Sequence, residues 1–427
     1  MRRLAYSLGL VGGVAAASPL LLARLARGRY RRIAAARLGL GSAWLPAVEP
    51  GGIWVHALSV GEVRSALPLI RALGRRFPEL PCCLSAATAQ GLAVAREELA
   101  ASQVAVFVRP LDLPWAAERL ARRLRPRLAV LVEGDIWPGW QWALGRAGAP
   151  RLLVNGRVSP RTFRAYRRAG RLARGLFQGF ERILVQTRVD QERLQAIGVP
   201  PERLAVGGNL KFDSAPPALE PARREELARE LGLAGRPVLV AGSTHPGEEE
   251  PVLDALVALR ERHPGLALVL APREVSRGAE AVRLARSRGL AAARASRGAP
   301  AAGAQVVVLD VLGRLAEAYS LGRAAFVGGS LAPVGGHNLL EPAAQGVPAV
   351  FGPHTHNFLE MARELEAAGG GRRIQEGREL ARAWGELLDR PGLAREMGRA
   401  ARGFCRSHRG AVRRAVAEAA RLVEAGR

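Results

Sequence analysis

Lysine is almost missing from this chain of 427 residues: Lys211 stands alone, and every other member of the 63 Lys and Arg is arginine. Such a bias follows from GC-rich codon usage, so single arginines carry little meaning while the surviving lysine carries more. Cysteine is scarce too, with Cys82, Cys83 and Cys405 making no C-x-x-C pair. That excludes a disulfide framework and a structural zinc site, and fits a reducing compartment. Acidic residues number 38, leaving a net charge of +25. A cationic surface suits nucleic acid or an anionic membrane. Aromatics make up only 5%, and no RNP or zinc-finger signature occurs, so nucleic acid is not an expected partner. No D-x-D motif occurs either.

Long hydrophobic runs are equally rare. The exception is residues 4–23, twenty positions without a charge, flanked by Arg2 and Arg3 before and by Arg24, Arg27, Arg29, Arg31 and Arg32 after. That length suits a membrane span, although three glycines and Pro19 also suit a shallow interfacial anchor. The downstream arginines resist translocation, which argues against a cleaved signal peptide and keeps the rest of the chain cytoplasmic.

Beyond residue 50 the hydrophobic pattern is dense and regular. Apolar runs at residues 52–55, 82–85, 104–108, 128–132, 152–154 and 183–186 alternate with arginine-faced helical stretches such as 59–77 and 115–125. A proline-rich break near residues 213–221 precedes a second series at 238–241, 267–270, 306–309, 324–327 and 349–351. Such alternation predicts an α/β chain with two doubly wound, Rossmann-like domains and a ligand cleft between their strand C-termini. The expected organisation is an anchor over 1–30, a first domain over 31–213, a linker over 214–222 and a second domain over 223–405. A C-terminal helix over 406–427 is expected to pack back on the first domain.

Five stretches at strand ends carry chemistry. In HALSVGE (56–62), Ser59 and Glu62 have capping-box spacing. Glu62, with Ser59 and Gly61 beside it, could equally take a proton from an acceptor hydroxyl. EGDIWP (133–138) puts Glu133 and Asp135 beside an indole. GGNLKFD (207–213) places Lys211 near the linker as a compact point charge. GSTHPGEEE (242–250) offers Ser243, Thr244 and His245 as ligand contacts. Its acidic run reads as dipole-favoured first-turn residues, not a metal site. The fifth, VGGSLAPVGGHNLLEPAA (327–344), is the most specific. Gly335, Gly336 and His337 precede an expected helix start near Asn338, with backbone amides for an anion and Glu341 in reach of a ribose diol. Arg273, in LAPR (270–273), is a phosphate partner through its forked guanidinium. Without D-x-D, protein cations and amides would have to stabilise a leaving group, which is easier for one phosphodiester than for a pyrophosphate.

These motifs, together with NGRVSPR (155–161), occur in the order of the bacterial 3-deoxy-D-manno-octulosonic acid (Kdo) transferases, which the chain resembles from about residue 25 to 410. The resemblance implies a GT-B glycosyltransferase on the cytoplasmic face of the inner membrane. It would move Kdo from CMP-Kdo to a lipid A precursor, with inversion and without metal or other cofactor. It implies Glu62 as base, Glu133 and Lys211 as transition-state stabilisers, and Pro272, Arg273, Leu312, Gly313, Arg314, Asn338, Leu339, Leu340 and Glu341 as CMP-binding positions. Departures fall at Gly134 and Asp135, where the family reads ETELWP, at Gly156, after Arg273, and at Arg314 in place of glutamate. Two other readings stand beside this one: another two-domain sugar-nucleotide transferase or epimerase, and a non-catalytic membrane-associated anion binder.

Overall fold

The computed structural model describes residues 6, 10, 12, 36–40, 45–298 and 303–426. They fall into two compact units, Met1–Ser214 with His408–Arg427, and Ala215–Ser407. The expected anchor at residues 4–23 lies almost wholly outside the described residues. Among those described, no helix is long and apolar enough to cross a membrane.

Unit 1 is built on a seven-stranded sheet: β1 (Ile53–Ala57), β2 (Cys82–Ala86), β3 (Ala105–Val108), β4 (Leu128–Val132), β5 (Arg151–Gly156), β6 (Arg182–Val185) and β7 (Leu204–Val206), in the order β3-β2-β1-β4-β5-β6-β7. Every pairing is parallel. Both sheet faces are covered, which is why the strands read as unbroken apolar runs. Alternate side chains sort into two cores. Ile53, Val55 and Ala57 join the core beneath the helix Val60–Arg76, while Trp54 joins Trp140 on the other face.

The C-terminal helix Ala411–Ala425 belongs to this unit. Ala411, Ala415, Ala419 and Val423, one turn apart, enter the same core as β1. Its first turn is capped by Asp213, whose carboxylate accepts from the Gly410 and Val412 amides at 2.7 and 2.6 Å. Half of the GGNLKFD motif is therefore structural. Phe212 likewise stacks on His408, with ring centroids 4.5 Å apart.

Unit 2 is a second seven-stranded sheet, with β8 (Val238–Thr244), β9 (Ala267–Pro272), β10 (Ala292–Arg294), β11 (Val306–Val308), β12 (Ala324–Val327), β13 (Ala349–Phe351) and β14 (Gly371–Arg373), ordered β10-β11-β9-β8-β12-β13-β14. Here too every pairing is parallel. The strand order switches direction between β1 and β4 in unit 1 and between β8 and β12 in unit 2, where β11 is also inserted between β10 and β9. Ligands of doubly wound sheets sit outside the strand C-termini at such reversals.

Candidate functional site

In unit 1 the loops leaving β1 and β4 carry the carboxylates. Ser59 is the N-cap of the helix Val60–Arg76, but the cap is loose, with Oγ 3.5 Å from the Glu62 amide. The Glu62 carboxylate accepts instead from the Leu58 amide at 2.6 Å. It is 8% exposed. Burial pushes its pKa up to about 7, the negative charges of Glu133 and Asp135 add to the rise, and the Leu58 hydrogen bond and Lys211 oppose it. Glu62 is thus poised to exchange a proton near neutrality. Gly61 is exposed beside it, and its carbonyl accepts from the Ser65 hydroxyl.

Glu133 adopts a left-handed backbone, φ 65°, a conformation that costs a β-carbon-bearing residue energy and collects at functional sites. Asn155 at the end of β5, also left-handed at φ 58°, holds it in place. The Asn155 amide donates to Glu133 Oε1 at 3.1 Å, while its carbonyl accepts from the Leu210 amide at 2.9 Å. One side chain therefore ties Glu133 to the segment bearing Lys211. Asn155 is not among the expected site residues. Its signal in the sequence is its place at the head of the NGRVSPR motif, at a strand end preceding glycine.

Asp135 has a different fate from its neighbours. It accepts from His56 Nε2 at 2.9 Å, Arg109 Nη2 at 2.5 Å and Trp137 Nε1 at 2.5 Å. Burial alone would raise its pKa, but the His56 hydrogen bond and the Arg109 charge prevail and hold it at about 2. His56, only 2% exposed, is driven down to about 4 by burial and by Arg109, against the pull of Asp135. A neutral His56 donates from Nε2 to Asp135, which leaves Nδ1 to accept from the Ser85 hydroxyl at 2.9 Å. Ser85 in turn accepts from Trp54 Nε1 at 2.8 Å. Asp135 is thus occupied by partners beneath the rim.

In unit 2, β8 and β12 approach so closely that a β-carbon on Gly328 would collide with the Ser243 carbonyl. Ser243 itself is left-handed, φ 56°. Beyond these ends His245 and His337 stack face to face, with Nε2 atoms 2.8 Å apart. Thr244 is fully buried and donates to Glu249 at 2.9 Å; Glu249 is held by Arg277 at 2.8 Å. That places the Thr244 hydroxyl in the framework, unlike the expected ligand contact. The Gly335 and Gly336 amides also differ from expectation, since both donate to the Gly329 carbonyl, at 3.1 and 2.7 Å. The helix after them is short, Leu340–Gln345, and Leu339 and Leu340 are buried.

Asn338 reaches Glu341 at 3.4 Å. Burial raises the Glu341 carboxyl, while the Asn338 hydrogen bond and the Arg273 charge lower it. Arg273 succeeds the buried Pro272 at the end of β9. It is exposed, and among the described residues its guanidinium has no hydrogen bond or ion pair. Leu312 is 79% exposed, and Gly313 is left-handed at φ 83°. Arg314 turns to Glu230 at 2.5 Å, both lining a cavity of about 260 Å³ with Leu309 and Val311. No group of three or more His, Cys, Asp or Glu able to hold a metal occurs among the described residues.

Two doubly wound units with polar loops at both strand-order reversals make up a GT-B fold. The glycosyltransferase from Rickettsia africae ESF-5 shares that fold, with a TM-score of 0.53 at 12% identity over 88% of this chain and 98% of its own. Residues 26–214 match the family model described as 3-deoxy-D-manno-octulosonic-acid transferase (kdotransferase). The 3-deoxy-D-manno-octulosonic acid transferase of Bordetella pertussis is 37% identical over 92% of each chain. The transferase of that name from Haemophilus influenzae is 33% identical over 90% of each. The chain belongs to the Kdo transferase family.

Proposed function

We propose that this enzyme transfers Kdo from CMP-Kdo to a lipid A precursor in a single inverting displacement that needs no metal ion. The supporting observation is Glu62: a buried carboxylate at the β1/β4 reversal, with a pKa near the working pH of a general base. Glu62 takes the proton of the acceptor hydroxyl as its oxygen attacks the anomeric carbon of Kdo. The bond from that carbon to the phosphate oxygen breaks, and CMP leaves with the electron pair. Glu133, fixed by Asn155, and Lys211 stabilise charge developing on the sugar. In unit 2, Arg273 receives the phosphate, and Asn338 and Glu341 face the nucleoside. Arg273 fits because its fork is unengaged. The Gly335 and Gly336 amides have no part in this scheme.

The acceptor side is basic. From Arg157 to Phe180 the chain holds seven arginines and no carboxylate. The helix Pro160–Ala169 has no buried residue. Arg161, Arg164, Arg167, Arg168, Arg171 and Arg174 are exposed and make no ion pair among the described residues, and Leu172 beside them is 68% exposed. In this reading the stretch meets anionic lipid at the cytoplasmic face of the inner membrane, each arginine contributing about 1 kcal/mol at the surface.

The test is transfer in detergent. CMP-Kdo and a tetra-acylated, bis-phosphorylated glucosamine disaccharide are incubated with enzyme and excess EDTA, and products are weighed by mass spectrometry. Mass gain in Kdo increments supports donor, acceptor and metal independence together. No gain, with a uridine nucleotide binding in place of CMP, overturns the reading in favour of another sugar-nucleotide enzyme.

A further inference from the structure

The acidic run of GSTHPGEEE has a member that does not behave as a first-turn helix residue. Glu248 lies just before the helix Glu249–Arg260 and is 0% exposed. Its carboxylate accepts five main-chain N–H groups. His245 and Gly329 donate to Oε2 at 2.9 and 2.7 Å; Ser330, Leu331 and Ala332 donate to Oε1 at 3.0, 2.9 and 3.1 Å. No side-chain cation pairs with it among the described residues. Successive amides converging on one point form the nest in which nucleotide-binding loops seat phosphate. Here the chain fills its own nest with a carboxylate.

The neighbouring bonds show what that carboxylate holds. Residues 329–332 leave β12 and turn above the β8 end. Gly329, fixed by Glu248, presents its carbonyl to the Gly335 and Gly336 amides. Ser330, also fixed by Glu248, accepts from the Gly352 amide at the end of β13 at 2.9 Å. His337, Asn338 and Glu341 come directly after. An apolar side chain of equal volume could not substitute, since it would leave five N–H groups unpaired, those of Gly329 and Ser330 buried and the other three partly so. Glutamine could not either, because it offers one acceptor oxygen and turns its own N–H groups against donors.

We infer that Glu248 is a positioning residue for donor binding: its carboxylate is the internal anion that folds residues 329–332 into the turn from which Asn338 and Glu341 meet the nucleotide. The inference rests on the reading of unit 2 as the CMP seat. It also explains why the donor phosphate falls to Arg273, as the loop amides are already taken.

The test compares wild type with Glu248→Gln and Glu248→Gly in the full-length protein. Two readouts are used: CMP titration, and amide hydrogen exchange without ligand. Glu248→Gln is expected to weaken CMP binding by roughly tenfold or more and to speed exchange of residues 329–332 by a similar factor. Exchange elsewhere in Ala215–Ser407 stays unchanged. In Glu248→Gly, added formate fills the vacated nest and restores both readouts, while formate leaves wild type unaffected. Unchanged CMP affinity and protection in Glu248→Gln overturn the inference. So does loss of protection across the whole unit without formate rescue, which marks a core role only. If wild type binds no CMP, the donor reading has failed and takes the inference with it; exchange in the unliganded protein then shows that the nest itself stands.

Discussion

The two units are both seven-stranded parallel sheets, differing in where the fourth strand enters, and they use their carboxylates in opposite ways. At the β1/β4 reversal of unit 1, one carboxylate, Asp135, is bound by three side-chain donors below the rim. Glu62 and Glu133 stand outside that set of donors, and burial, with the negative charges of Glu133 and Asp135, raises Glu62 to about 7. At the β8/β12 reversal of unit 2 the buried carboxylates, Glu248 and Glu249, serve the framework. What the rim offers there is Arg273, the stacked His245 and His337, and Asn338 with Glu341. In the proposed function the first reversal exchanges a proton with a hydroxyl and the second receives an anion. Topology determines where the ligand sits, and the partners of each carboxylate determine what happens to it.

The largest expected effect breaks unit 1 alone. Glu62→Gln should lower the transfer rate by about 1,000-fold or more, within or above the range for removing a general base. CMP affinity in unit 2 should stay at the wild-type value by calorimetry. A residual rate within tenfold of wild type would remove Glu62 from the role of base.

Next in size is an acid-stability effect. His56 has a folded pKa lowered to about 4 against about 6.5 in the unfolded chain. Its contribution is therefore fully present above pH 6.5 and is lost as pH falls toward 4, amounting to about 3 kcal/mol. Glu62, with its pKa raised, acts in the opposite direction over part of that window. The difference between wild type and His56→Gln in urea unfolding isolates the histidine. Parallel pH dependences in the two proteins would contradict the buried neutral imidazole.

A smaller effect breaks unit 2 alone. Arg273→Ala should weaken CMP binding by about 10- to 100-fold, the loss of one charge-assisted phosphate contact. The Glu62 acid limb in transfer should not move. Unchanged CMP affinity would place the phosphate elsewhere.

Much of the fold is legible in the sequence because central strands of a parallel sheet are buried on both faces and read as apolar runs. The runs at residues 128–132 and 324–327 coincide with β4 and β12. Three of the four edge strands leave no such run. β7, β10 and β14 are three residues long, with one open side and little need for apolar side chains; two of them end in arginine, and β10 lies inside an Ala/Gly/Arg-rich stretch.

The site divides in the same manner. Glu62, Glu133 and Arg273 draw notice in the sequence because they stand just after apolar runs, and Lys211 because it is the one lysine. Which carboxylate is already engaged cannot, because the partners are distant along the chain. His56 lies 79 residues from Asp135, and the amides of residues 329–332 that hold Glu248 lie 81 to 84 residues beyond it. Capping-box spacing at Ser59 and Glu62 is equally ambiguous. The structure turns the Glu62 carboxylate to Leu58 and leaves Ser59 as a weak cap.

In the proposed function Glu62 acts as a base whose proton affinity is tuned by its neighbours in unit 1. The most direct measurement is kcat/KM for Kdo transfer against pH, in wild type and in Glu133→Gln. Wild type should rise through an acid limb near pH 7, since only the ionised carboxylate accepts a proton. Removing the negative charge of Glu133 should shift that limb down, by under about 1 unit because burial remains the larger cause. A profile flat from pH 5 to 9, or a limb that stays in place when Glu133 loses its charge, would contradict the account.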